Sequence, residues 1–159
     1  MLFLNPRATR ADYPAELSAI MNIAQAHQSR QWLSSWRGIH RHATPLYDLP
    51  DAAARCQVGR LCLKDESVRS PLGSFKALGG SYAVIRLVLE EASRRLGRAV
   101  DIGELHRPAI RAVAAGMMVA CATDGNHGRS VAQGAALVGA KAAIFVHAGV
   151  SDERVRSEE

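Results

Sequence analysis

Residues 117–129 read MMVACATDGNHGR, and this stretch decides the fold. Residues 117–123 form a continuous apolar run bounded by turn residues, the pattern of a strand buried on both faces. The DGNHG that follows is tight-turn chemistry. Residues 129–138 then have helical character and stop at Gly139, a helix terminator. A second apolar run, residues 142–147, predicts another buried strand. Strand, helix and strand joined by short connections imply parallel pairing. The fold class is therefore α/β, a parallel sheet with flanking helices.

Working upstream, residues 101–115 predict a helix closed at Gly116. Residues 75–96 predict a long one with Ser74 as N-cap and Gly97 as its end. Gly79 and Gly80, near its start, each cost about 1 kcal/mol relative to Ala. They make sense where another group approaches that first turn closely. Residues 66–73 read as a loop, residues 59–65 (GRLCLKD) as a strand, and TPLYDLP, bracketed by Pro45 and Pro50, as an extended piece. Residues 13–36 look helical, with Leu17, Ile20, Met21, Ala24 and His27 in one stripe. Downstream, Ser151 is expected to cap a further helix, with Asp152 and Glu153 complementing its dipole.

The 159 residues, 48% hydrophobic and 22% charged, suit a folded domain rather than a disordered or coiled-coil chain. The longest apolar stretch, residues 112–123, is about a dozen residues where a membrane span needs about twenty, so no membrane partner is expected. The start MLFLNPRATR lacks a charged region before its apolar residues and does not read as a signal peptide. Cys56, Cys62 and Cys121 are odd in number and lack metal-site spacing, which suits a reducing, cytoplasmic setting. The net charge of +5 comes from 17 Arg and 3 Lys against 15 acidic residues. The basic residues are scattered without a block, so no nucleic-acid partner is expected, and a basic nucleic-acid-binding module stays only as a competing reading. P-loop, Rossmann, metal-ligand and nucleophile-elbow motifs are absent.

Two places could carry chemistry. Lys76 falls in the opening turn of a predicted helix, after a Ser/Gly loop. The positive end of a helix dipole favours the neutral amine that a Schiff base requires. Local sequence alone reads more often as a solvated helix lysine. Lys64 and Lys141 fit structural or surface roles better. The second place is the turn from Thr123 to Arg129, at the C-terminal end of a parallel strand, where α/β folds collect ligands and a helix start offers N–H groups to an anion. Asp124 adds a possible base and Asn126 a neutral donor. Plain turn and capping chemistry accounts for these residues about equally well.

TPLYDLP, LCLKDES, SPLGSFKALGGSYAV and ATDGNHGRSVAQGAALVGAKAAIFV, in that order, resemble the fold-type II pyridoxal-phosphate enzymes. This is the tryptophan synthase β-like group, with threonine dehydratase and cysteine synthase. SFKALGG and ATDGNHGR look most like the diaminopropionate ammonia-lyases, chiefly through Asp124. The resemblance implies that Lys76 holds pyridoxal 5'-phosphate as a Schiff base. It implies that Asn126 contacts the cofactor's phenolic oxygen. Thr123, Asp124, Gly125, Asn126 and His127 would receive a small amino-acid substrate, and Asp124 and Lys76 would act as bases on opposite enantiomers. The implied reaction is α,β-elimination of 2,3-diaminopropionate to pyruvate and ammonia, in a homodimer. A serine/threonine dehydratase-like lyase and a non-catalytic truncated remnant are the alternatives. The resemblance covers most of the chain but only the first part of the family pattern, whose glycine-rich phosphate loop and pyridine-nitrogen partner lie downstream. The expected fold is thus incomplete. Residues 1–73 would pack on an absent large domain, and residues 74–159 would form the small domain. Alone, such a chain is expected to be inactive or to depend on another chain.

Overall fold

The computed structural model describes residues 5–8, 11–36, 38–40, 42–123 and 125–151. They fall into two compact units, residues 1–32 and 33–159, each taken by itself. In the first unit, α1 (Ala15–Ile20) is followed by the start of α2 (Ile23–Ser35). The helical stretch expected over residues 13–36 is interrupted at Asn22, whose Oδ1 accepts from Gln25 N at 2.9 Å and so caps a new helix. The predicted apolar stripe is present but not buried: neither helix has a buried residue, and Leu17, Ile20 and Met21 are exposed.

The second unit carries two small sheets and a helical layer. β1 (Leu46–Asp48) pairs antiparallel with β2 (Cys62–Lys64), Tyr47 opposite Leu63. Between them lies α3 (Pro50–Arg55), which begins where the expected extended piece ends. Pro50 starts this helix because its missing N–H costs nothing in a first turn. β3 (Met118–Ala122) pairs in parallel with β4 (Lys141–Phe145), Ala120 opposite Ala143, as the motif order implied. The connection is α6 (Asn126–Val138), ended by Gly139 in the left-handed conformation at φ 80°.

The lysine segment is two elements rather than one long helix. A 3-10 turn, Phe75–Leu78, leads through Gly79 into α4 (Gly80–Leu96), which Gly97 ends at φ 65°. The segment before β3 is likewise split, into a 3-10 turn (Ile102–Glu104) and α5 (Pro108–Ala115). Pro108 explains the split: it pushes Arg107 out of the helical region to ψ 142°.

The core lies in the helical layer, where Val84, Ile85, Val88, Leu89 and Ala92 of α4 meet Val131, Ala135 and Val138 of α6, with Ile110 and Ala114 of α5. The expectation that both parallel strands are buried on both faces is not met. In β3 only Val119 is buried, while Met118 is 65% and Phe145 of β4 is 64% exposed. α6 packs against these strands, and their outer side chains meet no comparable layer among the described residues. No helix of the described residues is long and apolar enough to cross a membrane.

Candidate active site

The lysine turn is built by local hydrogen bonding. Ser70 Oγ accepts from Leu72 N at 3.3 Å and donates to Ser74 O at 3.3 Å, and Gly73 N donates to Ser70 O at 2.9 Å. Gly73 sits at φ 66°, where a side chain is strained. Ser74 then caps the 3-10 turn as expected, its Oγ accepting from Lys76 N at 3.2 Å. This places Lys76 in the first turn with an exposed side chain. Its Nζ lies 5.1 Å from the centre of the Phe75 ring. It makes no hydrogen bond or ion pair with any described residue.

The second candidate segment begins where β3 ends. Thr123 N donates to Phe145 O at 2.9 Å, extending the parallel ladder one residue beyond the strands. Thr123 Oγ1 accepts from Gly125 N at 3.3 Å. Gly125 occupies the N-cap of α6 and brings no side chain to its first N–H groups. The helix therefore starts at Asn126, three residues earlier than its periodicity suggested. Asn126 and His127 are exposed in its first turn, and Asn126 Oδ1 accepts from Arg129 Nη1 at 3.4 Å. Asp124, the expected base, lies outside the described residues, as do Asp152 and Glu153 of the further helix expected after Ser151.

The two segments meet through a pair of serines that sequence reasoning missed. Ser130 Oγ donates to Lys76 O at 2.8 Å and accepts from Ser81 N at 3.0 Å. Ser81 Oγ donates to Ser130 O at 2.6 Å. Both serines are fully buried. Close approach of α4 and α6 makes this possible. A Cβ on Gly80 would lie 2.6 Å from Ser130 Oγ, and one on Gly134 would lie 2.7 Å from Ser81 Cα. Gly80 thus has the close neighbour its sequence position called for. Gly79 does not, its nearest atom being Lys76 O of its own turn. The available signal was the small residues Gly80 and Ser81 on one helix and Ser130 and Gly134, four apart, on the other. No hydrogen bond runs directly from the Lys76 side chain to Thr123, Gly125, Asn126 or His127; the link is through main chain and Ser130.

Lys64 has the structural role expected of it. Its Nζ donates to Thr44 O at 2.5 Å and to Thr44 Oγ1. Glu66 Oε1 accepts from Thr44 Oγ1 at 2.5 Å, and both Glu66 oxygens take a fork from Arg69, at 2.7 and 3.0 Å. The Arg69 and Thr44 bonds hold the Glu66 carboxyl down at about 2. Arg69 also donates to His40 O at 3.0 Å. This knot ties His40 and Thr44 to the loop leading into the lysine turn.

An exposed lysine amine on one turn and a helix start without an N-cap side chain on the next are joined through Ser130. Residues 39–157 match the family described as pyridoxal-phosphate dependent enzyme. The chain belongs to that family. Among pyridoxal-phosphate dependent enzymes, it is 36% identical over 144 residues to diaminopropionate ammonia-lyase of Escherichia coli strain K12, covering 90% of this chain and 34% of that protein. It is 37% identical over 134 residues to the diaminopropionate ammonia-lyase of Salmonella typhimurium strain LT2, covering 84% and 33%. The crystal structure of the Escherichia coli enzyme in complex with D-serine is similar with a TM-score of 0.67 and 34% identity, over 85% of this chain and 33% of that one. The chain spans about a third of the length of the curated relatives it matches. The α/β class and the family cofactor, pyridoxal phosphate, agree with the sequence reading.

Proposed function

We infer that this chain supplies the lysine-bearing part of a site for α,β-elimination of 2,3-diaminopropionate to pyruvate and ammonia. The observation that carries the reading is the bond from Ser130 to Lys76 O, which fixes against the first turns of α6 a lysine whose amine has no hydrogen-bond or ion-pair partner among the described residues. The residues suit the cofactor: a primary amine on an exposed turn, and a helix start that no N-cap side chain closes.

In this reading Lys76 Nζ would hold the cofactor, and its amine would move a proton at the substrate Cα. The Asn126 amide would donate to the cofactor's phenolic oxygen. Thr123, Gly125, His127 and the first N–H groups of α6 receive the substrate carboxylate, an anion at a positive helix end. Asp124 takes the Cα proton from the opposite enantiomer. Pyridoxal phosphate, when bound, would supply an electron sink for the charge left at the substrate Cα. The β-amino group leaves as ammonia, and the released enamine takes up water to give pyruvate and a second ammonia. Residues 74–159 act as the small domain of this site and residues 1–73 as the segment that packs on a larger one. The working form is a cytoplasmic homodimer, a setting that the odd, metal-site-free cysteines support.

The test is pyruvate formation from each enantiomer of 2,3-diaminopropionate by the protein expressed from its own gene with pyridoxal phosphate added. Serine and threonine are the competing substrates. Lys76→Ala is expected to lower turnover of both enantiomers, and Asp124→Asn that of one, each on the order of a hundredfold or more. Faster turnover of serine or threonine would make it a dehydratase. No keto acid from any of the three is the outcome expected of the chain alone; none when the rest of the site is supplied as a separate chain would overturn elimination.

A further inference from the structure

We propose that Ser130 is a positioning residue for Lys76, joining the lysine turn to the α6 start as one rigid piece. The proposal rests on the reading of Lys76 as the cofactor-holding residue and goes beyond it in naming what holds that lysine in place.

The hydroxyl protons of the buried pair can be assigned from distances. Ser81 Oγ lies 2.6 Å from Ser130 O and donates to it. Ser130 Oγ lies 3.0 Å from the Ser81 N–H, from which it accepts, and 2.8 Å from Lys76 O, to which it donates. The two hydroxyl oxygens are 3.2 Å apart, with both protons already committed elsewhere. Ser130 is thus a relay between the main chain at Ser81 and the main chain at Lys76.

Lys76 O also accepts from Gly79 N at 3.0 Å, which closes the 3-10 turn. The carbonyl is fixed from inside the turn by Gly79 and from α6 by Ser130. With Ser74 capping the Lys76 N–H, both polar main-chain groups of Lys76 are held. The side chain is then the part of Lys76 left to move. Ser130 lies one turn beyond Asn126 on α6, so the same hydroxyl sets how the lysine turn and the Asn126–His127 end of that helix are spaced. Gly80 leaves the room this requires, since a Cβ there would meet Ser130 Oγ at 2.6 Å. Ser81 is the internal control: equally buried and in the same crossing, its hydroxyl bonds only α6.

The experiment compares Ser130→Ala with Ser81→Ala in the full chain. Circular dichroism and urea unfolding establish that each variant is folded. Two readouts follow. Hydrogen exchange reports the Gly79 and Ser81 amides without cofactor. Treatment with pyridoxal phosphate and borohydride, followed by peptide mass spectrometry, reports labelling of Lys76 against Lys64 and Lys141 as internal references. Ser130→Ala is expected to speed exchange at both amides by about tenfold, the loss of one net hydrogen bond, and to lower the Lys76 share of label several-fold. Ser81→Ala is expected to leave both readouts near the parent. Equal effects from the two variants would mean a merely structural pair and overturn the proposal, as would an unchanged Ser130→Ala. If the parent labels its three lysines evenly, the reading of Lys76 fails. Positioning then stands or falls on the exchange contrast alone.

Discussion

The helical layer and the strands of the second unit differ in what they bury. Along the α4–α6 crossing, Ser81, Val88, Ser130, Ala135 and Val138 are closed off from solvent. In β1 and β2 every residue is exposed, and in the parallel pair Met118 and Phe145 keep most of their surface open. Lys76 hangs from the closed region, its main chain bonded to Ser74, Gly79 and Ser130. The difference teaches that the lysine's placement depends on the helical crossing, which this chain builds from its own residues, and not on whatever meets the open strands.

That contrast can be broken or sharpened by mutation. The largest effect is expected from Ile110→Ala, which empties a fully buried position of α5 and should cost about 3 kcal/mol in urea unfolding. A cost below 1 kcal/mol would show that the layer is not a packed core. Next comes Gly134→Ala. In an open helix this change gains about 1 kcal/mol. Here the new Cβ would meet Ser81 Cα at 2.7 Å, and the backbone cannot step aside as a side chain would. A loss of about 1–2 kcal/mol is expected instead, and a gain would refute the tight crossing.

A smaller effect concerns the knot between the loops. Glu66 is held at about 2, below the ordinary carboxylate value of 4.5, first by Arg69 and then by Thr44. A depressed carboxyl contributes stability above its unfolded value, lost as pH falls through the folded one. The Glu66 contribution is therefore full above pH 4.5 and fades towards pH 2. Glu66→Gln should make the acid-side fall in stability shallower over that window, and an unchanged slope would remove Glu66 from the account. The smallest effect belongs to the open strands: Met118→Ala and Phe145→Ala should each stay within about 0.5 kcal/mol of the parent. A loss of the size expected for Ile110→Ala would mean that these side chains are covered in solution.

Much of this was legible from residues whose local chemistry decides the matter. Ser74 as a cap and Gly97 and Gly139 as left-handed helix ends follow from side-chain and backbone preference alone, and the structure has all three. Parallel pairing of the two apolar runs followed from their short helical connection. What was not legible depended on partners. An apolar run states that a strand can be buried on both faces, not that both faces are covered, and β3 and β4 are open on one. The start of α6 was misplaced because Gly128 read as a turn residue. In a first turn, where N–H groups need no helical partner, it fits, its N–H reaching Gly125 O at 2.9 Å. The Ser81–Ser130 couple was invisible for the same reason: each serine is ordinary in its own segment, and only their separation in space makes them a link.

The most direct test of the central claim, that Lys76 is the lysine prepared for the cofactor, is chemical trapping. The parent chain is mixed with pyridoxal phosphate, reduced with borohydride, digested and mapped. The account predicts the pyridoxyl group on Lys76 in clear preference to Lys64, which is engaged with Thr44, and to Lys141, at the start of β4. Label spread evenly over the three lysines, or concentrated on Lys64 or Lys141, would contradict it.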